Sequence, residues 1–174
     1  GKQAAHGGGG AGEGLDRIDQ RRLAKEIMGF ERLGELCDMC RAEAHSFDAV
    51  NTSAALSRLA RLPPSAHRHS LISRESLSAA VQTLDARAVS QISHCQPRHV
   101  ASILGAHAHL LRGHSVPVAP PLVAAVKGRV LECAGQFAPQ HTSHSLWALS
   151  SLLPPGAEPQ LVDALCERAL ESVK

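Results

Sequence analysis

Apolar residues recur at spacings of three and four along most of this chain, the period of an amphipathic helix. Leu23, Ile27, Phe30, Leu33, Leu36 and Cys40 form one continuous stripe, read as a first helix. Asp48 is placed to cap a second, in which Thr52, Leu56, Leu59 and Leu62 share a face before Pro63-Pro64 ends it. Leu77, Val81, Leu84 and Ala88 predict a third. Pro97 suits the first turn of a fourth, with Val100, Ile103, Leu104 and Leu111, and Gly113 and Pro117 are expected to break it. Pro120-Pro121 opens a fifth with Leu122, Val126 and Val130. Pro139 opens a sixth with Leu146, Leu149 and Leu153, stopped by Pro154-Pro155-Gly156. A seventh starts near Pro159 with Leu161, Leu165 and Ala169. No segment alternates as a half-buried strand would, so the fold class is all-α.

The helices repeat in pairs. With Phe47, Cys95 and Phe137 aligned as the residue before each second helix, Leu56, Leu104 and Leu146 coincide, and so do Leu62, Leu110 and Leu152. The offsets are 48 and 42 residues, and the first helices at Pro120 and Pro159 align closely too. Two helices per unit at this period describe an α-solenoid of antiparallel helix pairs, about seven helices in all. The units fall at about residues 15–62, 74–112 and 118–153, followed by a first helix at 158–174. That last helix has no partner, so either further chain or another molecule is expected to cover it. The opening residue is not Met, which implies processing or a longer native chain. Residues 1–14 are Gly-rich and are expected to be a flexible tail. Gly7, Gly9 and Gly12 match a dinucleotide-binding spacing, but no strand precedes them.

Charge changes the picture. The net charge is +2, yet residues 49–131 hold nine Lys or Arg against Glu75 and Asp85, and the segments on either side are acidic. A basic middle predicts a polyanion surface. Its candidate phosphate contacts are Arg58, Arg61, Arg68, Arg87, Arg98, Arg112, Lys127 and Arg129. With three Phe, one Trp and no Tyr, a sheet that stacks bases on rows of aromatics is excluded. Trp147 sits in the helical core stripe of its unit and is read as packed. Five spread cysteines fit a reducing compartment rather than a disulfide framework. No apolar run approaches the roughly 20 residues of a membrane span.

The run Phe137-Ala-Pro-Gln-His-Thr-Ser-His-Ser-Leu-Trp-Ala-Leu-Ser-Ser-Leu152 resembles the "PQ…LANTLWALAKL" helix of octotricopeptide-repeat proteins, and Phe47 to Leu62 is similar to a segment common in their first repeat. The resemblance spans about residues 23–174 and implies an organellar, RNA-engaged helical-repeat protein, mitochondrial or else chloroplast. The middle unit, around Gln96 to Leu111 with Gly105 and His107, departs from the family pattern. The resemblance therefore implies a fixed, shape-and-charge contact of an organellar ribosome protein with ribosomal RNA, beside neighbouring ribosomal proteins, rather than base-by-base reading. The alternatives are a free message-maturation or translation factor and a protein-binding scaffold without RNA.

Catalytic chemistry finds little footing. There is no phosphate-cradling loop, no nucleophile elbow and no zinc-protease motif, and the acids lie away from the basic block. No enzyme activity, cofactor or small-molecule substrate is expected. Cys37 and Cys40 could form half a zinc site, but the next local pair, His141 and His144, is a hundred residues on, and helical packing is the expected role of the cysteines. Of His67, His69, His107 and His109, the last two cannot share one helix face, so one of them is expected to be packed.

Overall fold

The computed structural model describes residues 10–63 and 74–172, with side chains from Asp19 onward. Arg68, His67, His69 and residues 1–9 lie outside the described residues. Eight α-helices are present among the described residues: α1 (Gly10–Gly29), α2 (Leu33–Glu43), α3 (Ala49–Arg61), α4 (Arg74–Gln91), α5 (Pro97–His114), α6 (Pro120–Cys133), α7 (Pro139–Leu152) and α8 (Pro159–Glu171). Helices two apart in the chain lie side by side, so α1, α3, α5 and α7 form one layer and α2, α4, α6 and α8 the other. This is the two-layer stacking of an α-solenoid. The interior holds Ile27, Leu36, Phe47, Leu56, Leu84, Ile103, Leu110, Leu122, Phe137, Leu161 and Leu165, all fully buried. Each such side chain contributes about 1.5–3 kcal/mol.

The expected first helix is two. The stripe from Leu23 to Cys40 is interrupted between Gly29 and Leu33, where Arg32 is extended at φ −112°, ψ 125°. The halves serve different layers, α1 packing on α3 and α2 on α4. A bidentate guanidinium holds the break open: Arg58 Nε and Nη2 donate to the Phe30 carbonyl at 2.9 and 2.6 Å. One hydrophobic period can thus run unbroken through a sharp bend. At its start, α1 begins at Gly10, four residues inside the segment expected to be a tail and despite glycine's poor helix propensity.

The first and second helix of each unit are joined by the same device. A single 3-10 turn (Ala44–Ser46, Ile92–His94 or Ala134–Gln136) follows the first helix. An extended, buried residue comes next: Phe47, Cys95 or Phe137. These are the three residues that set the repeat register. Being extended between two helical elements, each leaves its carbonyl outside any helix ladder, and such a group needs a partner. An arginine of the following unit supplies it. Arg87 Nε donates to Phe47 O at 2.9 Å, Arg129 Nε to Cys95 O at 2.9 Å, and Arg168 Nε to Phe137 O at 2.8 Å. Each arginine sits near the end of a first helix, so consecutive units are stapled at equivalent points. Hydrogen bonds from charged donors contribute about 1.5–3 kcal/mol each.

Other boundaries show local causes. Asp48 caps α3, its Oδ1 accepting from Asn51 N at 2.7 Å. Helix α5 runs through Gly113 to His114 and ends at Ser115, which is left-handed at φ 55°. The Ser115 N–H donates to Leu111 O at 3.0 Å, the bond of an αL cap, and the Val116 N–H reaches back to Leu110 O at 3.3 Å. Gly113 is therefore an ordinary helical position, and the left-handed cap falls two residues later.

Candidate nucleic-acid interface

The two layers differ in charge. Helices α3, α5 and α7 contain Arg58, Arg61, Arg98 and Arg112 and no Asp or Glu. They also carry His99, His107, His109, His114, His141 and His144. Helices α2, α4, α6 and α8 hold nine acids against six bases. The basic character that looked like a continuous block of sequence is a property of α3, α5 and α7, whereas α1 in the same layer carries Glu13, Asp16, Asp19 and Glu26.

The solvent face of the acid-free helices is set by the same register. Counting three, seven, ten and fourteen residues from Phe47, Cys95 and Phe137 marks one stripe per helix, the surface repeat of an α-helix. On α3 it reads Val50, Ala54, Ser57, Arg61; on α5 Arg98, Ser102, Gly105, His109; on α7 Gln140, His144, Trp147, Ser151. Arg61, Arg98, His109, His144 and Trp147 are exposed. Arg112 is exposed on the last turn of α5.

These positions converge around the indole. The Trp147 ring lies 5.2 Å from the His109 ring and 5.7 Å from the His144 ring, both tilted. Trp147 is 37% exposed, so it is a surface residue and not the core residue expected from its neighbours. The inward positions of α7 are instead Thr142, Ser145, Ala148 and Leu149, which rotate the indole outward. His144 fits against α5 because position 105 is glycine: a Cβ there would stand 2.1 Å from His144 Nε2. Partial burial, then the charges of His109, Arg61 and His141, push the His144 pKa below the usual imidazole value.

The eight candidate phosphate contacts separate into distinct roles. Arg87 and Arg129 are staples, and Arg58 holds the Phe30 turn. Arg129 also pairs with Glu132 at 3.2 Å, and Lys127 pairs with Glu158 at 3.0 Å. Arg61, Arg98 and Arg112 are exposed and make no ion pair among the described residues. Arg68 lies outside them. Trp147, read from the sequence as core, joins this face beside His109. The missed signal was the absence of acids from α3, α5 and α7, which a count over one contiguous block conceals.

The remaining chemistry is packed. His107 is fully buried on α5, its Nε2 2.9 Å from Asp85 Oδ1 of α4, which ties one layer to the other. Burial raises the thiol pKa of Cys37 to about 11 and of Cys40 to about 12, so both stay protonated core residues. Among the described residues no three metal-ligating side chains cluster, and no helix is long and apolar enough to cross a membrane.

Fold and face together define an all-helical repeat protein in which three helices of one layer, α3, α5 and α7, carry arginine and histidine and no acid. Compared with protein-family models, curated proteins and solved structures, the chain finds no match in any of the three.

Proposed function

We propose that this chain holds RNA along the face of α3, α5 and α7, as a structural RNA-binding protein and not as an enzyme. The observation that carries the reading is the absence of every Asp and Glu from those three helices. A phosphate backbone laid across them meets no carboxylate on the helices and three exposed arginines, Arg61, Arg98 and Arg112, that make no ion pair among the described residues. Arginine suits this work, with a planar fork that matches phosphate and also stacks on bases.

The resemblance to octotricopeptide-repeat proteins supports an organellar setting, mitochondrial or else chloroplast, and a fixed contact with ribosomal RNA in a ribosome. A free message-maturation factor would use the same face. Sedimentation of the tagged protein through sucrose after a high-salt wash separates the two, with co-migration with one ribosomal subunit expected. Recovery only in the soluble fraction, bound to messages, would replace the ribosomal reading.

A second reading, a protein-binding scaffold, draws on the apolar groove between α7 and α8 lined by Leu146, Leu149, Leu153, Pro154 and Val162. It predicts no affinity for oligoribonucleotides at physiological salt.

A further inference from the structure

We propose that Trp147, flanked by His109 and His144, is a stacking platform for one unpaired nucleobase of a single RNA strand whose phosphates run toward Arg61. This rests on the RNA-holding reading and deepens it, because phosphate contacts alone would accept a duplex equally well.

The geometry supplies three reasons. First, the indole is 37% exposed on the acid-free face although leucines pack on either side of it along α7, so its ring is offered to solvent at the cost of apolar exposure. Second, its surroundings are built. Gly105 leaves the gap that seats the His144 ring, and a methyl group in that gap would collide with the imidazole at 2.1 Å. His109 approaches from the neighbouring helix at 5.2 Å between ring centroids. Two tilted imidazoles against one indole hold its orientation and limit its rotamers, which lowers the ordering cost of stacking. Third, the equivalent outward position on α3 is Ser57, so the register place of the indole carries only a small side chain on that helix. At the helix end of the same face, Arg61 occupies on α3 the register place that His109 holds on α5. A base on Trp147 then places its phosphates along a line of cationic and imidazole groups.

The side chain is also the chain's one tryptophan, so its emission reports the contact directly. The test uses the full chain and an oligoadenylate of about twelve nucleotides, within the usual site size, beside an RNA duplex of the same length. The account expects the oligoadenylate to quench Trp147 emission on binding and the duplex to leave it nearly unchanged. Trp147→Ala should weaken oligoadenylate binding about tenfold or more, measured by anisotropy of labelled RNA, while duplex affinity changes less than about twofold. Trp147→Phe should recover part of the loss. Gly105→Ala, which displaces only the His144 ring, should give an intermediate loss with an intact helical spectrum. Oligoadenylate bound with unquenched emission and equal affinity in Trp147→Ala would overturn the platform and leave the RNA-holding reading standing. No binding of either RNA would overturn both.

Discussion

The two helix layers use arginine for opposite purposes. In the layer of α2, α4, α6 and α8, Arg87, Arg129 and Arg168 are half-buried and committed to carbonyls of the preceding unit. In the layer of α1, α3, α5 and α7, the arginines Arg61, Arg98 and Arg112 of α3 and α5 are exposed and have no carboxylate partner among the described residues. Arg58 is the exception within this layer, turned to the Phe30 carbonyl. What decides the role is the neighbourhood. An arginine near the end of a first helix faces an unpaired carbonyl one unit back, whereas one on the outward stripe of a second helix faces water. Residue type and sequence distance are the same in both cases, so charge counted along the chain mixes a structural set with a surface set.

The comparison can be broken at the buried Asp85–His107 contact, which joins α4 of one layer to α5 of the other. Asp85→Ala leaves the fully buried His107 Nε2 without its partner and should destabilise the fold by about 3 kcal/mol, read by urea or thermal unfolding. The Asp85→Ala, His107→Ala double variant should cost less than the sum of the two singles, because the pair acts as a unit.

A pair of substitutions then sets the arginine classes against each other. Arg87→Met removes a staple at similar length and should cost about 2 kcal/mol of stability, with RNA affinity unchanged once corrected for the folded fraction. Arg61→Met should change stability by less than about 0.5 kcal/mol and lower RNA affinity. If Arg87→Met weakened RNA binding and Arg61→Met weakened the fold, the assignment of roles would be reversed.

The smallest effect concerns the end of α5. Gly113 is helical and open, with nothing within 4 Å of an added Cβ. Gly113→Ala should raise stability by up to about 1 kcal/mol. A loss would mean that Gly113, and not Ser115, carries the left-handed cap.

Much of the fold was legible in the sequence, because prolines and caps punctuate it. Pro97, Pro120, Pro139 and Pro159 each open a helix, and Asp48 caps one. The register at Phe47, Cys95 and Phe137 was readable because those residues occupy equivalent buried places. The break at Phe30 was not, because the apolar spacing continues across it and the group that holds it, Arg58, arrives from a helix 28 residues away. The staples were invisible for the same reason, since each joins residues 31 to 40 positions apart. Trp147 was misread because the leucines beside it define a stripe into which it almost fits. Its direction depends on which neighbour α7 packs against, and periodicity does not contain that. The acid-free set of α3, α5 and α7 was present in the sequence throughout, but it shows only when the second helix of each unit is counted apart from the first.

The central claim is that RNA meets the exposed arginines of α3, α5 and α7 and not the whole basic segment. The affinity of a single-stranded oligoribonucleotide, measured over a range of salt concentrations, tests it most directly. Each phosphate contact contributes about −0.7 to the slope of log affinity against log salt. Arg61, Arg98 and Arg112, with or without Arg68, predict a slope of about −2 to −3. A slope near zero would contradict RNA holding altogether. One near −6 would mean that the staples and the paired lysine also reach phosphate, and would contradict the division between the layers.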